Sequence, residues 1–139
     1  MAFALSPLIL ANNFLPLSEA LYFKGDLVNN LVDDFIFMNQ AGMVLELCEK
    51  YYDENVIMLN NGQVFAESMR ESYDKQKSFV KSVKEFNVEL VSKTITENVS
   101  ELIFHYKMTG SDSSVNEFTG KHTQTWVNGK IVKEEYVSI

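Results

Sequence analysis

Two periodicities divide the chain. Leu27, Val28, Leu31, Val32, Phe35 and Ile36 recur at helical spacing, with Asp26 placed to cap a helix that starts there. Asn39–Gln40–Ala41–Gly42 breaks that helix, and a shorter one is predicted from about Met43 to Tyr51. Asp53–Glu54–Asn55 reads as a turn, Val56–Leu59 as a short strand, and Asn60–Asn61–Gly62 as its end. Residues 67–84 turn helical again, with Met69, Tyr73, Gln76, Val80 and Val83 as an inner stripe. From there the period drops to two. Phe86, Val88 and Leu90 alternate; Glu97–Asn98 turns the chain; Leu102, Phe104, Tyr106 and Met108 alternate against Glu101, His105 and Lys107.

The last two runs, 118–126 and 130–137, are joined through Asn128–Gly129. Both residues tolerate the positive φ of a tight hairpin turn, so these runs are predicted to pair. Helices followed by long strands argue an α+β domain, with helices on one face of an antiparallel sheet. The other face meets water or a second subunit. Thr123, Thr125 and Ile131 are expected on that outer face, which leaves room for a homodimer through the sheet. Phe118, Gly120, His122, Gln124 and Trp126 share the opposite parity. A face with aromatics at its ends and polar groups between them suits the wall of a small-molecule pocket.

Composition narrows the class. The 139 residues suffice for one domain with a real core. A net charge of -7 and lysines interleaved with acids argue against nucleic acid as a partner. The single cysteine, Cys48, cannot form an internal disulfide, which fits a reducing, cytoplasmic setting, and its apolar neighbours read it as a buried small hydrophobe. Residues 1–25 form an apolar extension without charge before Glu19; Pro7 and Pro16 interrupt it, and no basic start marks a signal peptide. It is too short to span a bilayer, so no membrane partner is expected. The domain proper is expected over residues 26–139.

Two segments then carry a resemblance. Tyr51–Tyr52–Asp53–Glu54–Asn55–Val56–Ile57–Met58 resembles the helix end and first strand of SnoaL-like proteins. Trp126–Val127–Asn128–Gly129–Lys130–Ile131–Val132–Lys133–Glu134–Glu135–Tyr136 resembles their closing hairpin. These proteins belong to the nuclear transport factor 2-like (cystatin-like) superfamily. The resemblance covers residues 26–139. It implies a strongly bent antiparallel sheet, wrapped by the N-terminal helices into a cone with a pocket, and frequent dimers through the sheet. It does not choose an activity, because members include isomerases, cyclases, dehydratases, epoxide hydrolases and plain binding subunits. Where ketosteroid isomerases of the superfamily carry an Asp base after the first short strand, this chain has Asn60, whose amide cannot take a proton at neutral pH. Their helix-1 tyrosine corresponds to Phe35–Ile36–Phe37. Their acidic donor on the strand before the last corresponds to His122.

His122 is therefore the leading acid/base candidate, since imidazole exchanges protons near neutrality. Glu134 shares the parity of Tyr136 and would join it inside, unless a bulge exchanges Glu134 with Glu135. Asn60, Met58, Tyr106, Gln124, Trp126 and Tyr136 are the expected ligand contacts. Two histidines without a metal-ligand spacing, and no phosphate loop, predict neither metal nor cofactor. Three readings stay open: binding of a small, largely apolar ligand; an isomerase, cyclase or lyase acting on a polyketide-like or other carbonyl compound; and a non-catalytic interaction subunit.

Overall fold

The computed structural model describes residues 17–139, with side chains from residue 27 onward. Of the expected apolar extension over 1–25, residues 1–16 lie outside the described residues, and 17–25 form the first turns of a helix. Three helices precede or interrupt a six-stranded sheet: α1 (Leu17–Gln40), α2 (Val44–Tyr51), β1 (Tyr52–Asn60), β2 (Gln63–Ala66), α3 (Met69–Ser82), β3 (Val83–Thr96), β4 (Val99–Gly110), β5 (Val115–Val127) and β6 (Lys130–Ser138). The sheet order is β2-β1-β6-β5-β4-β3. Among the described residues no helix is long and apolar enough to cross a membrane.

Helix α1 starts at Leu17, nine residues before the expected Asp26. Leu17, Glu19, Ala20 and Leu21 are good helix formers, and the helix runs on through Gly25 and the cap-like Asp26. Its buried stripe is Val32, Phe35, Ile36 and Met38. Asp33 and Asp34 point outward and pair with Lys93 (2.9 Å) and Lys50 (2.7 Å). Helix α3 is capped by Ser68, whose hydroxyl accepts from the Glu71 amide at 3.0 Å. It faces inward along Met69, Ser72, Tyr73, Gln76 and Phe79, while Val80 is exposed and Val83 already belongs to β3. The expected stripe holds through Gln76; Phe79 takes the inward place expected of Val80, and the helix ends two residues before the expected 84.

The sheet is mixed, not antiparallel throughout. Strand β1 runs parallel to β6, from the Ile57–Lys133 pair to Asn60–Tyr136. The two are far apart in sequence, so no hairpin dictates their direction. A short partner, β2, follows β1 through Asn61 and Gly62, both at positive φ as in a type I′ turn. The same geometry, at Asn128 and Gly129, closes the β5–β6 hairpin as predicted. Asp53–Glu54–Asn55 is the irregular start of β1, where pairing with β6 skips from Tyr52 to Ile57. A bulge at Val132 shifts the register between Thr125–Lys133 and Trp126–Ile131. Ile131 is thereby buried rather than on the outer face, whereas Glu134 and Tyr136, beyond the bulge, keep the inward parity.

The inner face of the sheet carries Val88, Leu102, Phe104, Tyr106 and Trp126 against α1 and α2. Burying such side chains contributes about 1.5–3 kcal/mol each before entropy is counted. The curved sheet stays unclosed, and its concavity is not filled to the end.

Candidate functional site

The unfilled end of the concavity is an open cavity of about 580 Å³. Its walls are aromatic, from Phe35, Phe65, Phe79, Phe86 and Phe118. Amide side chains (Asn60, Asn61, Gln76, Asn116) add hydrogen-bonding groups, and His122 and Glu134 add titratable ones. An apolar cleft with few convergent polar groups has the make-up of a small-molecule site.

Three neighbouring strands deliver the polar groups. Tyr106 stands on β4, His122 on β5 and Glu134 on β6, all on the inner face. His122 is paired in register with Leu102 on one side and Tyr136 on the other. The Tyr106 hydroxyl lies 2.7 Å from His122 Nε2. On the other edge of the ring, Nδ1 faces Glu134 Oε2 at 3.3 Å. That approach falls short of hydrogen-bond geometry, and Nδ1 has no other partner although it is buried. Tyr136 packs edge-on against the imidazole, with ring centres 5.1 Å apart. Tyr106 is held by Phe118 stacked on it at 5.0 Å.

Glu134 is 3% exposed, and its carboxylate is an acceptor on both oxygens. Tyr52 donates to Oε1 at 2.7 Å and the Gln124 amide to Oε2 at 2.6 Å. Burial pushes its carboxyl up, but the charge of the neighbouring His122 and the hydrogen bonds from Gln124 and Tyr52 outweigh this and hold it below the usual range. Desolvation, reinforced by Glu134, pushes the Tyr52 phenol well up. Burial also raises the Tyr106 phenol, against the opposing hydrogen bond from Asn39. The floor of the cavity thus holds one buried carboxylate, one imidazole and two protonated phenols.

The structure brings His122, Glu134, Tyr106, Tyr136, Met58 and Asn60 to one cavity. It does not bring Gln124 and Trp126 there. Both are buried behind the cavity wall, Gln124 against Glu134 and Ser100, and Trp126 edge-on to Tyr51 at 5.6 Å. They share His122's parity, but the helices cover that end of the inner face, which parity alone cannot reveal. Sequence reasoning missed Tyr52 and Ser100. Ser100 is a polar residue in an otherwise apolar inner row with Leu102, Phe104 and Tyr106, and that break in pattern was the available signal. His105 lies on the outer face, bonded to Thr119 and Glu117. Cys48 lines the cavity from α2, and burial pushes its thiol up to about 11. Among the described residues no group of three or more His, Cys, Asp or Glu could hold a metal ion.

Comparison with known structures fixes the architecture. The chain has the nuclear transport factor 2-like, cystatin-type fold. It superposes on a candidate SnoaL-like polyketide cyclase from Mesorhizobium loti with a TM-score of 0.67, 17% identity, and coverage of 78% of this chain and 97% of that one. A cystatin-fold protein from Novosphingobium aromaticivorans gives 0.69 at 14% identity, covering 78% and 96%. An LEH-like epoxide hydrolase of M. tuberculosis gives 0.69 at 10% identity, covering 83% and 84%. No protein-family model and no curated protein matches the sequence. Identities this low carry the fold and not the reaction, so the site has to argue for itself.

Proposed function

We propose that this protein is an acid–base enzyme, an isomerase, cyclase or lyase acting on a small, largely apolar carbonyl compound of polyketide-like size. One observation carries the reading: Glu134, His122 and Tyr106 form a line from a buried carboxylate to a cavity open to ligand. His122 is the acid/base. Its Nε2 removes a proton from the carbon next to the substrate carbonyl, and Glu134 stabilises the imidazolium that forms. The Tyr106 hydroxyl swings its hydrogen bond from Nε2 to the substrate oxygen, where negative charge develops. His122 then returns the proton at another position. Atoms balance without an oxidant, and the step calls for no cofactor.

Asn60 stands at the cavity as an amide and supports a second reading, binding without turnover. The open cavity gives the interaction-subunit reading no support. A cytoplasmic homodimer through the outer sheet face belongs to the same proposal; it rests on the lone cysteine and on half-buried Thr123 and Thr125 and exposed Val137 on that face.

Native mass spectrometry of the purified protein reads subunit number and retained ligand together. Deuterium incorporation next to the carbonyl of apolar cyclic ketones in D₂O, followed by NMR, then tests the chemistry. The expected result is exchange by the wild type that falls about 10²- to 10⁴-fold in His122→Ala. Tight binding of such ketones with no exchange above background would replace the enzyme by a binding protein.

A further inference from the structure

Behind Glu134 the buried polar groups do not end. The Trp126 indole Nε1–H donates to Ser100 Oγ at 2.9 Å. Ser100 Oγ lies 2.9 Å from Gln124 Oε1, and Gln124 Nε2 donates to Glu134 Oε2 at 2.6 Å. Ser100 and Gln124 are fully buried and Trp126 is 2% exposed. Each of these residues comes from a different position on the inner face: Ser100 and Gln124 are register partners on β4 and β5, and Gln124 and Glu134 are register partners on β5 and β6.

The donors fix the direction of this row. An indole N–H can only donate, so Ser100 must accept from Trp126. Its own proton is then free for one acceptor, Gln124 Oε1. With its oxygen taken, the Gln124 amide can present only N–H to Glu134. Glu134 therefore accepts from both Gln124 and Tyr52, and its Oε2 lies 3.3 Å from His122 Nδ1. The proton of a neutral His122 is drawn to Nδ1, which leaves the Nε2 lone pair toward Tyr106. From the other side, the Asn39 amide lies 3.4 Å from the Tyr106 oxygen and donates to it, so the Tyr106 proton points at Nε2.

We propose that Trp126, Ser100 and Gln124 are positioning residues that set the His122 tautomer through Glu134. They touch no ligand themselves. The inference rests on the acid–base reading of the same cavity, because a basic Nε2, freed when the Tyr106 hydroxyl turns to the substrate, is what that chemistry uses. A non-catalytic protein could keep the same hydrogen-bonded row, so the two claims can fail separately.

The first test is ¹⁵N NMR of His122 in the intact wild-type protein, followed upward in pH until the imidazole carries a single proton. The expected spectrum has a protonated Nδ1 and a bare Nε2. A wild-type spectrum with the proton on Nε2 overturns the proposal without any variant. The second test compares Gln124→Leu and Ser100→Ala with Ser100→Thr, which keeps the hydroxyl. In the first two, His122 is expected to become a mixture of tautomers, and Ser100→Thr to restore the wild-type signature. If any folded member of the first pair leaves the His122 spectrum unchanged and only lowers the melting temperature, the row is structural and the proposal fails. If the tautomer shifts as expected but no ketone exchange exists in the wild type, the row stands and the enzyme reading falls.

Discussion

Gly120 is the position where a single methyl group tests the architecture of the site. It lies on β5 and is paired with β6 through Ser138, under the ring of Tyr136. A Cβ built there would sit 2.1 Å from Tyr136 Cε2 and 2.5 Å from both Cζ and the hydroxyl oxygen. Ordinary carbon contacts lie near 3.5–4.0 Å, so the ring would have to withdraw by roughly 1.5 Å. Gly120 is not among the glycines at positive φ, so its backbone accepts alanine without strain. Two effects then oppose each other. Exchanging a strand glycine for alanine stabilises by about 0.5–1 kcal/mol through backbone entropy. Forcing the Tyr136 ring out of its place costs about 1–3 kcal/mol. Gly120→Ala should therefore be neutral to destabilising by about 2.5 kcal/mol, a melting shift of about 3–5 °C per kcal/mol for a chain of this size. In a Tyr136→Ala background the obstruction is gone, and the same substitution should stabilise by about 0.5–1 kcal/mol. A double-mutant cycle by thermal denaturation measures both, and the change of sign is the diagnostic. Equal effects in the two backgrounds would refute the claim that Gly120 exists to seat Tyr136 beside His122.

Two further outcomes follow from the buried ionisable groups. The Glu134 carboxyl is held below its ordinary 4.5 in the folded chain, so the stability it contributes is present above that value and is lost as the pH falls through the lower one. The melting temperature of the wild type should accordingly converge toward that of Glu134→Gln below about pH 4.5; parallel curves from pH 7 to 3 would show that the carboxylate is not held by its neighbours. With its thiol raised to about 11, Cys48 should be alkylated by iodoacetamide at pH 8 more slowly in the native than in the unfolded chain. The thiolate fractions alone predict a ratio on the order of 10². Equal rates would mean that the α2 wall of the cavity opens readily.

Legibility in the sequence followed the range of the interactions. The β5–β6 hairpin was readable because Asn128–Gly129 encodes its own turn, and the inward row Phe118–Trp126 followed from a period of two. The β2 strand was not readable: Gln63–Ala66 has four residues, and its three apolar ones are consecutive, so they show no period. The parallel β1–β6 pair depends on chain segments more than seventy residues apart, and nothing local records its direction. The Val132 bulge explains why Ile131 was assigned to the wrong face while Glu134, two residues beyond it, was not. His122 and Glu134 could be nominated by parity and residue type. That Gln124 and Trp126 lie behind the cavity rather than in it depends on where α1 and α2 cover the sheet, which is a tertiary fact.

Energetics bear on why Glu134 is there at all. Taking a carboxylate wholly out of water costs several kcal/mol even after relaxation, and hydrogen-bonded partners at best recover it. Replacing such a set by apolar residues of similar volume is often neutral or stabilising, so fold stability is a weak reason for it. Nor is Glu134 there to satisfy a backbone need: its partners are side chains, Tyr52, Gln124 and His122, each of which an apolar residue could replace. The location is the informative part. The carboxylate lies under the one imidazole that reaches the cavity, and that imidazole keeps a buried Nδ1 without a full hydrogen bond. A group arranged only for stability would close that contact. One that must become imidazolium during a reaction gains by leaving it loose in the resting protein, because the pair then tightens when the charge forms. Burial is what makes the tightening effective, since the same two charges in water would attract only weakly. On the acid–base reading proposed above, the cost of desolvating Glu134 belongs to the cavity's chemistry rather than to the core.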